Sequence, residues 1–276
     1  MMRLGSDVQK PVIVLLLALW GLLFASNACA ENVVNYLVVE DKTRPFQIVE
    51  KGESRGGIVS DMVDAIFADS DYTVRHRVFP VNRLRKVIAN NELDHWIAYD
   101  APQWDSFGEH GQFVDVPVLN THHVLLTCRE DLPARIDSIR QIEGLRILTL
   151  RHFDYVALDR AAAKGTIRQL PIDRYEAGIQ LVSLGRADGF VEMESRLQFH
   201  VGQHAEVAGP CLRWLDFSAI IPDFPLYLTV DSDWPPEFAA FVAERIRSLQ
   251  QSGAFDRITT HYLGSDDGQD FRPVAQ

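Results

Sequence analysis

The sequence has few cysteines, fewer positive than negative charges, and no long apolar run beyond its first 30 residues. It contains three cysteines in 276 residues, and 27 Lys and Arg residues against 38 Asp and Glu. The net charge of −11 argues against nucleic acid or an anionic lipid surface as a partner. No later segment approaches the roughly 18 apolar residues that a membrane-spanning helix needs. The 47% of hydrophobic residues suffices for a sizeable core, and a small ligand held by a few local cations remains compatible with the charge.

The first 30 residues have the order of a secretory signal peptide. A weakly basic start is followed by an apolar run over residues 12–25 and by the small-residue cleavage site Ala28-Cys29-Ala30. We expect cleavage after Ala30 and export to the periplasm. A lipoprotein signal acylated at Cys29 is the less favoured alternative, because residues 26–28 match the usual lipoprotein box poorly.

Two cysteines, Cys128 and Cys211, remain after cleavage. In an oxidising compartment an even pair favours a disulfide, and the alternative is two unrelated buried thiols. A bridge requires the two Cα atoms to approach within about 7 Å. The pair is therefore a disulfide candidate.

Strand and helix patterns alternate along the rest of the chain. Residues 33–39 are typical of a buried strand, and a helix follows from Ser60, a good N-terminal residue. The alternation continues over residues 72–80, 83–91, 95–100, 122–128, 137–144, 146–150, 155–165, 174–186, 189–193 and 195–203. Strands separated by helices predict right-handed βαβ units, mainly parallel sheets and an α/β fold.

Two long, proline-containing extended stretches interrupt this order, at residues 113–126 and 216–230. If both carry the chain between lobes, the C-terminal helices complete the first lobe and the second lobe is inserted. Ligand sites favour clefts between such lobes and the C-terminal ends of parallel strands. We expect a first lobe made of residues 31–118 and 224–264. Residues 119–223 would form the second lobe, and residues 265–276 a flexible tail.

Several short motifs occur in a fixed order along the mature chain. They are Arg44-Pro45-Phe46 with Gly57-Ile58-Val59-Ser60-Asp61, Asn82-Arg83-Leu84 with Asn91-Glu92-Leu93-Asp94, Val114-Asp115-Val116-Pro117, Gly144-Leu145-Arg146-Ile147, Leu184-Gly185-Arg186-Ala187-Asp188-Gly189, and the segments 249–258 and 261–264. Together they resemble the motifs of the family 3 extracellular solute-binding proteins, which deliver amino acids and similar solutes to ABC transporters. The resemblance implies a type II periplasmic binding fold, in which two lobes joined by two crossover strands close on a ligand.

Departures from the family pattern fall on its ligand-binding positions. The family's ligand arginine precedes its "FSDPY" motif, but residues 87–128 contain neither Lys nor Arg. Five residues after Asp188, where the family has an acidic partner for the ligand's amine, stands Met193 between Glu192 and Glu194. One of these glutamates could meet a ligand amine, or both could be solvated. The resemblance therefore implies the fold without the usual amino-acid clamp, and we do not expect an ordinary α-amino acid as ligand.

Arg44, Arg83 and Arg151 are the candidate replacements for the missing arginine. A guanidinium can offer a bidentate fork to a carboxylate or phosphate. Arg151 and His152 replace the family's Gly-Thr turn and precede a helix, where backbone N–H groups favour an anion. Each arginine could instead be a solvated surface charge.

Aromatic residues near predicted strand ends are candidates to line the cleft. Tyr and Trp combine a broad apolar face with one hydrogen-bonding atom, which suits a partly polar solute. Phe46 could pack on the solute or fill the core. The other aromatic candidates are Tyr99, Trp104 and Tyr155, and Asp100 is an acidic candidate beside Tyr99.

No metal or cofactor site is predicted. His200 and His204 have the i, i+4 spacing that could bind a metal on a helix, but no adjacent motif supplies a third ligand. Gly202 between them weakens the helix. We expect these two to be surface histidines, and the same for His122 and His123.

The leading hypothesis is a monomeric periplasmic solute-binding protein without a catalytic role. It would close two lobes on a small polar or anionic organic solute and then be recognised by an ABC permease or by a membrane sensor domain. A sensory partner with no transport role is an alternative. Another is an exported enzyme on the same fold, such as a cyclohexadienyl dehydratase acting on prephenate or arogenate, with Glu192 or Glu194 as its acid–base group.

Overall fold

A computed structural model describes residues 32–40, 42–151 and 153–264. The predictions for the signal peptide, for Cys29, for His152 and for the C-terminal tail fall outside these residues. Over the three described ranges, no helix is both long and apolar enough to cross a membrane.

Strands and helices alternate through the described chain much as the sequence patterns predict. In chain order the elements are β1 (Asn32–Val39), β2 (Val49–Glu50), β3 (Glu53–Ser54), α1 (Ile58–Phe67), β4 (Tyr72–Phe79), α2 (Val81–Ala89), β5 (Trp96–Asp100), β6 (Gly111–Asn120), β7 (His123–Thr127), β8 (Arg146–Leu150), α3 (Val156–Ala163), β9 (Arg168–Ile172), α4 (Tyr175–Ser183), β10 (Gly189–Met193), α5 (Glu194–Gln203), β11 (Arg213–Asp216), β12 (Pro225–Asp231), α6 (Pro236–Gln251) and α7 (Ala254–Leu263). The helix expected near residues 137–144 is a short 3-10 turn, Ile139–Ile142.

The first five-stranded sheet has the order β4-β1-β5-β12-β6. Strands β1 and β5 are parallel, whereas β12 is antiparallel to both β5 and β6. Alternate residues of β1 enter different cores, because side chains of a strand point to opposite faces of its sheet. Tyr36 packs with α1 and α6 on one face, and Leu37 packs with α2 on the other.

The second five-stranded sheet has the order β11-β7-β10-β8-β9 and contains only strands between residues 123 and 216. Strand β8 is parallel to both β9 and β10, whereas β7 is antiparallel to β10 and β11. Apolar clusters cover both faces of this sheet. Each sheet contains one strand next to a crossover, β12 or β7, that is antiparallel to both of its neighbours.

Two chain crossings join the sheets, between β6 and β7 and between β11 and β12. They are hydrogen-bonded to each other, since the Thr121 backbone N–H donates to the Phe224 carbonyl oxygen at 2.8 Å and the Phe224 N–H donates to Thr121 Oγ1 at 3.2 Å. Away from the crossings, the Gln198 side chain on α5 donates to the Leu263 carbonyl oxygen on α7 at 3.1 Å. The lobes are thus in contact in this conformation.

A disulfide links Cys128 to Cys211, with Cα atoms 4.9 Å apart. It joins the end of β7 to the segment that leads into β11, so it lies entirely within the second lobe.

Candidate functional site

The segment after β1 is held firmly against the start of α1. The Phe46 N–H donates to the Thr43 carbonyl oxygen at 2.8 Å, and the Val59 N–H donates to the Phe46 carbonyl oxygen at 2.9 Å. Gly57 allows this close approach, because a Cβ there would lie 2.6 Å from the Phe46 oxygen and its φ of 117° disfavours other residues. Phe46 is consequently buried, with its ring fixed at the boundary between the lobes.

Helix α5 of the second lobe places a buried guanidinium against that ring. Arg196 has a side chain that is only 3% exposed, and its Cζ lies 5.4 Å from the ring centre of Phe46 and 5.0 Å from that of Phe153. Both distances suit a cation–π interaction. Phe46 comes from the first lobe and Phe153 from the second, so Arg196 lies where the lobes meet.

Two of the three guanidinium nitrogens of Arg196 lack a good hydrogen bond, although the Tyr99 and Tyr175 hydroxyls lie near the group. Its Nη1 is 3.6 Å from Glu192 Oε1, too long for a good hydrogen bond. Among the described residues, neither Nε nor Nη1 has a hydrogen-bond partner. Because an arginine stays charged in a protein, buried N–H donors of this kind require an acceptor.

Glu192 is a buried carboxylate whose oxygens already accept hydrogen bonds. Its Oε2 accepts from the Tyr155 hydroxyl at 3.0 Å, and its Oε1 accepts from the Met193 N–H at 2.8 Å. Burial, together with the charge of Glu192, raises the pKa of Tyr155 well above its ordinary value, so this hydroxyl remains a donor. Glu192 is therefore fixed in place on the second lobe, beside Arg196.

Neutral polar groups surround this charged pair. Over the described residues, the Tyr175 hydroxyl, His123 Nδ1 and His200 Nε2 are buried without hydrogen-bond partners. The His200 ring stacks on Tyr175 with centroids 3.9 Å apart. Burial, reinforced by nearby positive groups, lowers the pKa of His123 to about 4 and that of His200 to about 3. Both imidazoles are neutral near pH 7, and Arg196 supplies the positive charge.

A chain of aromatic side chains continues the site into the first lobe. The Tyr99 ring lies 6.0 Å from that of Phe46 and 6.3 Å from that of Trp104. Trp104 lies 5.7 Å from Phe224, which lies 5.9 Å from His123. We call Arg196 and the side chains in contact with it or with Glu192 the Arg196 cluster; these are Phe46, Phe153, Tyr155 and Glu192. Tyr99 therefore connects this cluster to the segment after β5.

Comparison with known proteins shows similarity in structure but not in sequence. No protein-family model and no curated protein matches the chain. An ancestral cationic amino acid solute-binding protein, AncCDT-1, superposes with a TM-score of 0.63 at 15% identity, covering 84% of this chain and 96% of its own. Substrate-binding domain 2 of Lactococcus lactis GlnP, in an open conformation, gives 0.62 at 14% identity, covering 86% and 97%. Another AncCDT-1 structure, described as a precursor of cyclohexadienyl dehydratase, gives 0.58 at 14% identity, covering 84% and 95%.

The chain has a two-lobe, type II periplasmic binding fold. The predicted fold class is thereby confirmed, and the similar solved structures include substrate-binding proteins of amino acid ABC transporters. At these identities the likeness concerns the fold alone. The ligand has to be inferred from the side chains of this chain.

The structure brings together four of the residues selected from sequence. Phe46, Tyr99, Tyr155 and Glu192 all lie in or beside the Arg196 cluster, and Trp104 follows through its contact with Tyr99.

The three candidate arginines instead pair with acidic side chains outside this cluster. Arg83, 55% exposed, contacts Glu92 at 2.6 Å, and Arg151, 45% exposed, contacts Asp173 at 2.9 Å. Arg44 donates to the Val49 carbonyl oxygen and lies 3.4 Å from Glu50.

The remaining acidic candidates have local roles. Asp100 is buried and accepts from both the backbone N–H and the hydroxyl of Ser106, so it fixes the turn after β5. Burial raises the pKa of Asp100 in spite of these bonds. Glu194 is half-buried at the first position of α5, where its N–H donates to the His122 carbonyl oxygen at 2.8 Å.

The prediction of surface histidines is wrong for His123 and His200. His123 is 5% exposed because β7 is the central strand of three in its part of the sheet, with β10 and β11 on either side. His200 packs on Tyr175 because α5 turns that side toward α4. Among the described residues, no group of three or more His, Cys, Asp or Glu side chains could hold a metal ion.

Sequence reasoning missed Arg196 and Tyr175. A usable signal for Arg196 was present, since it stands four residues after Glu192 and directly before Leu197, on the side of α5 that also carries Phe199. An arginine on the apolar side of an amphipathic helix indicates a buried guanidinium.

Proposed function

We propose that this protein is an exported solute-binding protein that closes its two lobes on a small organic anion. The observation that carries the proposal is the buried Arg196 guanidinium, whose Nε and Nη1 have no hydrogen-bond partner among the described residues. A ligand carboxylate bound there would accept two charge-assisted hydrogen bonds in the fork geometry that arginine favours. The two-lobe fold supports the proposal because the similar solved structures bind solutes.

The charges in the cluster favour an anion over an α-amino acid. A ligand ammonium group would need an available acidic partner, but both oxygens of Glu192 already accept hydrogen bonds within the second lobe. Asp100 is likewise occupied by Ser106. In the described part of the chain, Arg196 is the one Lys or Arg side chain that is buried, so it is the buried cation that a solute carboxylate could reach.

Binding would be coupled to hinge motion at the two crossings. Opening about the segment paired through Thr121 and Phe224 would separate Phe46 of the first lobe from Arg196 of the second. A carboxylate could then reach the guanidinium, and its bonds would favour the closed state. The closed protein would act as a monomer, and an ABC permease or a sensor domain would recognise it. The genes next to its own would separate the two roles, since uptake requires a permease and an ATPase.

The proposal is tested by native mass spectrometry of protein purified from its own periplasm, followed by calorimetry with the recovered solute. Arg196→Gln should weaken binding by about 100-fold, which is the loss of two charge-assisted hydrogen bonds. Arg196→Lys should recover only part of this, because an ammonium group lacks the fork. Arg83→Gln is the matched surface control and should bind like wild type. Equal binding by wild type and Arg196→Gln would refute the proposal.

A second candidate function is elimination chemistry on a carboxylate substrate. The observation in its favour is that Glu192, a possible acid–base group, lies 3.6 Å from the guanidinium that would hold the substrate. One AncCDT-1 structure is described as a precursor of cyclohexadienyl dehydratase. Phenylpyruvate formation from prephenate, abolished in Glu192→Gln, would support this function, and its absence at micromolar enzyme would exclude prephenate as a substrate.

A further inference from the structure

The first lobe contains a cavity of about 240 Å³ between α2 and its sheet. Most of its lining is apolar, with Leu37 from β1, Ala98 from β5, and Leu84 and Ile88 from α2. Val81, at the first position of α2, also lines it and is 41% exposed. An apolar space of this size beside solvent suits an apolar group rather than ordered water.

The polar residues on the cavity wall do not make it a polar site. Gln47 is used by the fold: its amide donates to the Tyr36 hydroxyl and the Leu37 carbonyl oxygen, and its Oε1 accepts from the Val39 N–H. Ser106 is bonded to Asp100. Arg85 and His110 also line the cavity; Arg85 is exposed and His110 is half-buried. The wall thus presents mainly hydrocarbon surface to an occupant.

Tyr99 links the cavity to the Arg196 cluster. Tyr99 is among the residues that line the cavity, and its ring is 6.0 Å from the Phe46 ring over which the guanidinium lies. Trp104, 38% exposed, lines the same cavity next to Tyr99. A solute held at Arg196 therefore has an apolar space on the first-lobe side of Tyr99.

We propose that this cavity takes the apolar part of the solute, so that the ligands are carboxylates bearing one aromatic ring or a branched alkyl chain. The inference rests on the proposed function, because Arg196 holds the other end of the molecule. The size is sufficient, since an apolar cavity of about 150 Å³ is enough to bind benzene. Small dicarboxylates and polar amino acids would leave this surface uncovered and bind weakly.

A homologous series of carboxylates tests the distance between Arg196 and the cavity. The series is benzoate, phenylacetate, 3-phenylpropionate and 4-phenylbutyrate, with isovalerate as the branched alkyl probe. Each methylene that moves further into the cavity should tighten the dissociation constant by about fourfold, until the ring meets the cavity wall. Succinate and L-glutamate are the polar comparison ligands.

Two variants address the cavity independently of Arg196. Val81→Trp narrows the cavity at an exposed position, where it should not disturb folding, and Ala98→Leu fills it from the sheet. Leu184→Trp is the matched control, because Leu184 is 57% exposed and precedes the start of β10. Glu192 lies near the other end of that strand. Calorimetric titrations on protein refolded from denaturant avoid co-purified solute.

The expected result is that the best phenylalkanoate binds at least about tenfold tighter than succinate. Val81→Trp and Ala98→Leu should weaken it about tenfold or more, whereas Leu184→Trp should not. Polar carboxylates that bind more tightly than the aryl series and depend on Arg196 would overturn this inference while leaving the proposed function intact. Aryl carboxylate binding that neither cavity variant weakens would also overturn it. Arg196-independent binding of every carboxylate would overturn both.

Discussion

Replacing Arg196 and Glu192 singly and together tests whether the buried pair serves a ligand or the stability of the fold. Arg196→Met removes the guanidinium and leaves the Glu192 charge buried without a cation. Removing one partner of a buried pair costs about 3–5 kcal/mol of unfolding free energy. We expect the lower end, about 3 kcal/mol, because Glu192 keeps its hydrogen bonds from Tyr155 and Met193.

The double variant Arg196→Met, Glu192→Gln should be at least as stable as wild type. It removes two unsatisfied guanidinium donors, each costing about 1–3 kcal/mol when buried, and it leaves no uncompensated charge. Replacing a buried ion pair by groups of similar volume is often neutral or stabilising, by up to about 4 kcal/mol. The same double variant should lose ligand binding.

Wild type, the two single variants and the double variant form a double-mutant cycle. Urea denaturation of the ligand-free proteins, followed by circular dichroism, measures the unfolding free energy of all four. Arg83→Gln, which breaks an exposed pair with Glu92, should leave stability close to that of wild type. A double variant that is as unstable as Arg196→Met alone would refute the reasoning, because it would show that the guanidinium stabilises the fold in its own right.

Three further predictions concern stability. Folding lowers the pKa of His123 to about 4 and that of His200 to about 3, so the unfolded state binds more protons than the folded state. The unfolding free energy should therefore fall as the pH drops below about 6.5, by up to about 1.4 kcal/mol per pH unit for each histidine. Gly57→Ala should cost about 1–3 kcal/mol in thermal unfolding, because its positive φ and close carbonyl contact exclude a Cβ. Serine at both Cys128 and Cys211, 83 residues apart, should cost about 2–4 kcal/mol.

Each of these has a clear contrary outcome. His123→Phe with His200→Phe should flatten the pH profile, and an unchanged slope would contradict the assigned cause. Gly52→Ala is the control for Gly57→Ala, because Gly52 also has a positive φ but no atom within 4 Å of its Cβ position. Equal losses of stability at both glycines would show that crowding against the Phe46 carbonyl oxygen contributes nothing. Wild-type stability without the disulfide would show that the second lobe does not depend on it.

The fold was predictable because local patterns and tertiary packing agree in this chain. Strand β1, with buried residues on both faces, and helix α2, with Leu84 and Ile88 on its inner side, have periodicities that match their packing. The direction of β12 was not predictable from periodicity. An extended run has the same alternation in a parallel or an antiparallel pair, and the direction is fixed only by the path between lobes.

The site was only partly predictable, because its charges pair across long sequence separations. Arg83 and Arg151 were reasonable candidates by position, yet each meets an acidic side chain, nine and 22 residues away in the sequence. Arg196 depends on Phe46, which is 150 residues earlier and in the other lobe. No local pattern reports that contact.

A crystal structure of the protein with its co-purified solute, or with the best-binding phenylalkanoate, tests the central claim most directly. The measurement is the distance from the ligand's carboxylate oxygens to the Arg196 nitrogens. We predict both oxygens within about 3 Å of Nε and of an Nη atom, with the apolar group beyond Tyr99 in the cavity beneath α2. A ligand bound elsewhere, with Arg196 turned into a bidentate contact with Glu192, would contradict the claim.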